Sequence, residues 1–230
     1  MNAKPLLKRK RGLSGRRPKT SAPDSDTRAD VLKAARTVFA RRGFEGASTR
    51  EVAEIAGVNT AMIYYHFKDK NELYRAVLAG SFAEFDRIWD HPVFGSAAAT
   101  SRKKIGTYVA GFIRFQQANE EIRRIMSMEF SSCTRNSRWL ADNHFSSGYE
   151  RLAGLLREAM RSGELKRMDL SLAVSCLIGM IIHSFTVRPL AERIIGKKLD
   201  LSAATFGKFV TDLFFDGLRR PVAAGMRIQK

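Results

Sequence analysis

Between residues 48 and 72 the sequence starts three helices in succession, and no other stretch limits the fold so tightly. Ser48 with Glu51 has the S-x-x-E spacing of a capping box, Asn59 is a strong N-cap residue, and Asp69 with Glu72 repeats the box. Each cap satisfies backbone amides that the first turn of a helix leaves without partners. The first two of these helices have room for only two turns each. Gly57 stands between them, where a tight turn needs positive φ, and Ile55 and Val58 flank it as candidate packing residues at a steep crossing. In the second short helix, Ile63 and Phe67 form the inward pair, four residues apart.

The rest of the chain repeats the helical period. Val31, Ala35, Val38 and Phe39 line one face of a helix expected to start at Thr27 as N-cap, with Asp30 in the box position, and to stop at Gly43. Further helices are expected around 70–90, 102–118, 121–131, 137–162, 169–187 and 203–219. Breaks are expected at His91-Pro92 to Gly95, at Ser162-Gly163, and at Arg188-Pro189 or near Gly196. Strand-type alternation with hairpin dipeptides is missing, so the fold class is all-α. A 44% hydrophobic share of 230 residues is enough for a real core. No uninterrupted apolar run approaches the roughly 18 residues of a spanning helix, which sets an integral membrane protein aside.

The net charge of +17 points to a polyanionic partner but is unevenly placed. Residues 1–20 hold eight Lys and Arg and no acid, whereas residues 21–70 hold eight basic and seven acidic side chains. With three prolines and few aliphatic residues, positions 1–26 read as a flexible basic arm that buries too little to offset its ordering entropy. The organisation that follows is an arm at 1–26, a three-helix unit at 27–72 and a larger helical unit at 73–230.

Cys133 and Cys176 cannot form a disulfide framework, and they read as packing residues of a reducing compartment. His66, His91, His144 and His183 have no i, i+4 partner and no nearby thiol or carboxylate pair, so neither a metal site nor a cofactor is expected. No nucleophile elbow, phosphate loop or zinc-protease sequence occurs, which argues against an enzyme.

The second short helix, about 59–67, leaves Thr60, Ala61, Met62, Tyr64, Tyr65 and His66 outward. Three outward rings on so short a helix expose apolar area with no packing return, which indicates a partner surface. In a helix-turn-helix this second helix enters the major groove of DNA. Ser48 to Glu72, ending in Tyr-Tyr-His-Phe-Lys-Asp-Lys, resembles the DNA-binding domain of the tetracycline-repressor (TetR) family of bacterial regulators. The likeness covers about 27–75. It implies that Thr49, Arg50, Asn59, Thr60, Ala61, Tyr64, Tyr65, His66 and Lys70 face a double-stranded, palindromic operator. It further implies a cytoplasmic bacterial homodimer, most simply a repressor, that a small molecule releases from DNA through the C-terminal domain. The competing reading is a constitutive regulator with a filled core.

Two late segments, about 169–187 and 203–219, are apolar over a wide face and suit a two-fold four-helix contact. The expected effector site lies between about residues 105 and 185. Phe112, Met126, Trp139, His144, Phe145, Met180 and His183 are its candidate lining, and they favour a hydrophobic, neutral or anionic molecule over a cation. In the arm, Gly15-Arg16-Arg17-Pro18 is close to the arginine-bearing segments that enter narrow minor grooves, although the residue order departs from them. Deleting residues 1–22 is expected to flatten the slope of log K against log salt in DNA titrations; an unchanged slope would exclude an arm contact.

Overall fold

The computed structural model describes residues 24–132 and 134–217; residues 1–23 of the expected arm, Cys133 and Leu218 lie outside the described residues, while positions 24–26, also expected in the arm, belong to the first helix. Ten α-helices and no strand occur among the described residues. In chain order they are α1 (Asp24–Gly46), α2 (Thr49–Ala56), α3 (Thr60–His66), α4 (Lys70–Asp86), α5 (Ser101–Ala118), α6 (Glu120–Ser132), α7 (Arg135–Leu140), α8 (Ser146–Arg161), α9 (Leu170–Ile195) and α10 (Thr205–Asp216). Two short 3-10 turns, Arg87–Asp90 and Pro92–Gly95, fill the expected break between α4 and α5.

All three caps form as their residue types require. Ser48, Asn59 and Asp69 side chains accept from the backbone N–H of Glu51, Met62 and Glu72 at 3.1, 2.9 and 2.8 Å. Gly57 ends α2 with φ 68° and ψ 28°, the left-handed conformation in which a Cβ is penalised. Ile63 and Phe67 are buried beneath α3. Ile55 is instead about half exposed, because α2 turns Val52 and Ala53 inward and position 55 falls on the opposite side.

Elsewhere the boundaries differ in instructive ways. The first helix starts at Asp24, so Thr27 lies inside it rather than capping it; Asp24-Ser-Asp-Thr offers four cap-type residues in a row, and their order does not single one out. Its regular part does end at Gly43, whose φ of 68° breaks the helix. The segment expected as one helix over 137–162 is divided into α7 and α8 by a π-helical turn, Ala141–Phe145. Pro189 does not end α9, which continues to Gly196 at φ 71°. At 26 residues with a mean hydropathy of 2.0 over its best window, α9 is long and apolar enough to cross a membrane by length and composition. Scattered Ser, Gly, His and Thr hid this from a search for unbroken apolar runs. Only one side of α9 is covered: Ala173, Val174, Leu177, Ile181 and Phe185 pack into the protein.

Two apolar cores result. One unites Phe39 of α1, Val52 of α2, Ile63 of α3 and Leu73 and Tyr74 of α4 with Ile122, Ile125 and Met126 of α6 and Leu140 of α7. The other is built from α5, α8, α9 and α10 around Ile105, Ile113, Leu156, Leu177 and Val210. The first core thus draws on both sides of the boundary placed at residue 72, and α4 runs across it. Polar contacts bind the same join. Tyr74 donates its hydroxyl to the buried Glu129 carboxylate at 2.6 Å, and Thr134 donates to the other carboxylate oxygen at 2.5 Å. Burial and the neighbouring Glu129 carboxylate together raise the Tyr74 phenol far above its ordinary pKa. Arg36 of α1 reaches Asn119 at 2.7 Å and Glu121 at 3.1 Å. Tyr74→Phe removes the donor and leaves Glu129 a partner short, so urea unfolding is expected to show a loss of about 1–3 kcal/mol.

Candidate nucleic-acid interface and effector cavity

The three-helix unit carries an exposed polar and aromatic face. On α3 Tyr64 and Tyr65 are 54% and 70% exposed, and Ala61 stands beside them one turn earlier. The hydroxyls of Tyr64 and Thr49 lie 3.3 Å apart, which joins the start of α2 to the middle of α3. Arg50 extends from the same end of α2, its guanidinium paired with Glu54 at 3.2 Å on an open surface where such a pair is weak and easily exchanged. Thr60 and His66 are half-buried at either end of α3.

Two of the expected contact residues already have structural work. The Asn59 carbonyl oxygen is committed to capping α3, leaving its amide N–H groups as outward donors. Lys70 donates to the backbone carbonyls of Ala47 at 3.2 Å and Glu45 at 3.4 Å, and its ammonium lies 4.6 Å from the Phe44 ring centre. It thereby ties the start of α4 to the α1–α2 loop. No sequence pattern distinguished this clamp from a purely outward lysine. A third ammonium proton remains for an anion approaching the helix start.

Behind this unit lies a cavity of about 290 Å³ between α4, α5, α6, α8 and α9 and the π turn. Four expected lining residues are on its wall: Phe112, Met126, His144 and Phe145. The π turn carries the last two, with Phe82 stacked on the His144 ring at 5.6 Å and edge-on to Phe145 at 5.0 Å. Burial lowers the His144 pKa, and Asp86 opposes that shift, so the ring is neutral near pH 7. The other three expected residues lie elsewhere. Trp139 stands behind His144 with the Arg75 guanidinium over its indole, Met180 packs into the second core, and His183 is on the exposed side of α9. The helical period alone does not tell a cavity wall from the far side of the same helix.

The sequence reading missed Phe82, Phe85, Gln116 and above all Arg123, whose position in α6 resembles an ordinary solvent-facing charge. Among the described residues no group of three or more His, Cys, Asp or Glu is placed to hold a metal ion.

Residues 31–77 match the family model described as bacterial regulatory proteins, tetR family. Over 109 residues the chain is 27% identical to the HTH-type transcriptional repressor KstR2 of Mycolicibacterium smegmatis, covering 46% of this chain and 51% of that protein. It is 42% identical over 69 residues to the transcriptional activator FasR of the same organism, covering 30% of this chain and 32% of that one. The chain thus spans from about a third to half of the length of these relatives. The solved structure of the transcriptional regulator FadR from Bacillus subtilis, in complex with stearoyl-CoA, shares the fold with a TM-score of 0.66 at 21% identity, over 83% of this chain and 99% of that one. With its capped helix-turn-helix set on an all-helical frame, the chain carries at residues 31–77 a domain that matches the tetR family of bacterial regulatory proteins.

Proposed function

We propose that the protein is a dimeric, ligand-responsive regulator of transcription that binds a palindromic DNA operator and, acting as a repressor, leaves it when a small apolar effector fills the cavity. The observation that carries this reading is the face formed by Tyr64, Tyr65, Ala61, Thr49 and Arg50: aromatic and polar groups exposed on a short helix fixed from beneath by Ile63 and Phe67. Hydroxyl and guanidinium donors there suit phosphate oxygens and base edges, and Ala61 suits a thymine methyl. Asn59, Thr60, His66 and the spare Lys70 proton complete the contact set.

Dimerisation fits the uncovered side of α9 and α10, where Leu172, Leu190, Ile194 and Phe209 are 66, 61, 75 and 55% exposed. Pairing two copies through these helices covers that surface and supplies the two-fold axis that a palindrome mirrors. Such a dimer works in the bacterial cytoplasm, where the DNA is, and needs no catalytic step.

A route from cavity to DNA follows α6 and α4. Along α6, Met126 and Phe130 line the cavity, while Glu121 on the same helix holds Arg36 at 3.1 Å and Thr37 at 2.8 Å on α1. The far half of α4 contributes Phe82 and Phe85 to the cavity and its near half carries Tyr74 and Lys70. A ligand that fits only one arrangement of these helices shifts the spacing of the two α3 helices in a dimer. The existence of a cavity favours this reading over a constitutive factor with a filled core.

Selection of bound DNA from a random pool is expected to return an inverted repeat with half-sites one helical turn apart or a multiple of it. Tyr64→Ala with Tyr65→Ala is expected to weaken that operator about tenfold to a hundredfold in a binding titration while unfolding is unchanged. Leu190→Glu with Ile194→Glu is expected to give a folded monomer by sedimentation, with half-site affinity only.

A further inference from the structure

We infer that the cavity takes an organic anion and that Arg123 is the group that meets its carboxylate. This rests on the effector reading above and narrows it to one chemical class.

Arg123 is half-buried at the wall of a cavity otherwise dominated by aromatic and aliphatic side chains. Its neighbours show what it lacks. Arg124 pairs with Glu120 at 2.7 Å, Arg188 with Glu192 at 2.8 Å and Arg36 with Glu121 at 3.1 Å, whereas Arg123 has no carboxylate partner among the described residues. One guanidinium nitrogen donates to the Gln116 carbonyl at 2.5 Å, and the plane lies 5.5 Å from the centre of the Phe185 ring. A guanidinium has five N–H donors in a fixed fork, so most of its capacity is still open, in a geometry that matches a carboxylate.

The energetics agree. Burial lowers the Arg123 pKa, with the nearby Arg124 and Arg188 charges adding to that effect and Glu120 opposing it. A desolvated cation without a counter-ion is costly, and an anion entering beside it offsets that cost. No Asp or Glu lines the cavity; the carboxylate felt at His144 and Tyr108 is that of Asp86, set back from the wall, so Arg123 is the charged group of the lining itself. Its volume of about 290 Å³ is at the lower end of the usual range for small-molecule sites. The fitting ligand has one carboxylate and a compact apolar body, either a single aromatic ring system or a medium-length alkyl chain.

The bond to Gln116 also caps the last turn of α5, so a structural role has to be separated from recognition. Octanoate, octanol and octylamine, matched in chain length, do this by calorimetry and thermal melting on the full-length chain. Octanoate is expected to bind about tenfold or more tightly than octanol, the usual yield of a charge-assisted contact, with octylamine weakest. Arg123→Gln is expected to bring octanoate down to the octanol level while leaving octanol unchanged, and Arg123→Lys to keep part of the preference. Capping alone would not produce this charge-dependent split. Equal binding of octanoate and octanol to the unsubstituted protein overturns the inference and leaves the effector reading standing. So does a preference that survives in Arg123→Gln. If Arg123→Gln does not fold, the octanoate-to-octanol ratio of the unsubstituted protein decides. Binding of none of the three overturns the effector reading, and this inference with it.

Discussion

The buried contact on which the join between the three-helix unit and the rest of the protein depends is the Tyr74 hydroxyl donating to Glu129, which ties α4 to α6. Tyr74 is almost wholly buried, edge-on to Phe39 of α1 at 4.8 Å and tilted against Phe44 at 5.0 Å, and its hydroxyl sits on a carboxylate that is itself only 4% exposed. A buried carboxylate without its donors is costly, so α4 and α6 are held in one register by polar as well as apolar terms. The three-helix unit therefore does not pack as a freestanding bead. It is completed by Ile122, Ile125 and Met126 from a helix that also forms the wall of the cavity.

This arrangement explains how a helix as short as α3 can hold a fixed orientation. Seven residues are too few for independent stability. The Asn59 cap, the Ile63 and Phe67 anchors and the Gly57 turn set its direction, and the Lys70 clamp secures the loop that precedes α2. Tyr64 and Tyr65 are left outward because every inward position is already occupied.

Charge has a different meaning at each place it occurs. In the sequence the eight basic residues of positions 1–20 precede a nearly neutral stretch, 21–70, so any specificity of the three-helix unit depends on shape and hydrogen bonding more than on net charge. On the surface of α10 and α5, Arg102 binds Asp212 and Asp216, both at 2.7 Å, and these pairs hold one helix to the other. At Arg123 the same side chain joins α6 to α5 through the Gln116 carbonyl and has no carboxylate partner at the cavity wall among the described residues, which is the ground for the anion-site proposal.

The sequence determined the all-helical class, the three caps, the Gly57 turn and the inward pair of α3, because each depends on residues within one or two turns of each other. It also determined the outward tyrosines, since a helical period of 3.6 leaves them nowhere else to go. It did not place Trp139, Met180 or His183, nor reveal Arg123 or the clamp role of Lys70. Those depend on which neighbouring helix each face meets and on the π turn that rotates His144 and Phe145 relative to α8. The continuation of α9 through Pro189 has the same origin: local preference opposes it, while Glu192 beyond the proline accepts from Arg188 at 2.8 Å, Lys198 at 3.0 Å and the Leu199 N–H at 2.9 Å, the last two from residues past the helix end. Local chemistry fixed which helices exist, and only the packing of distant segments decided where a cavity opens and which charge is left facing it.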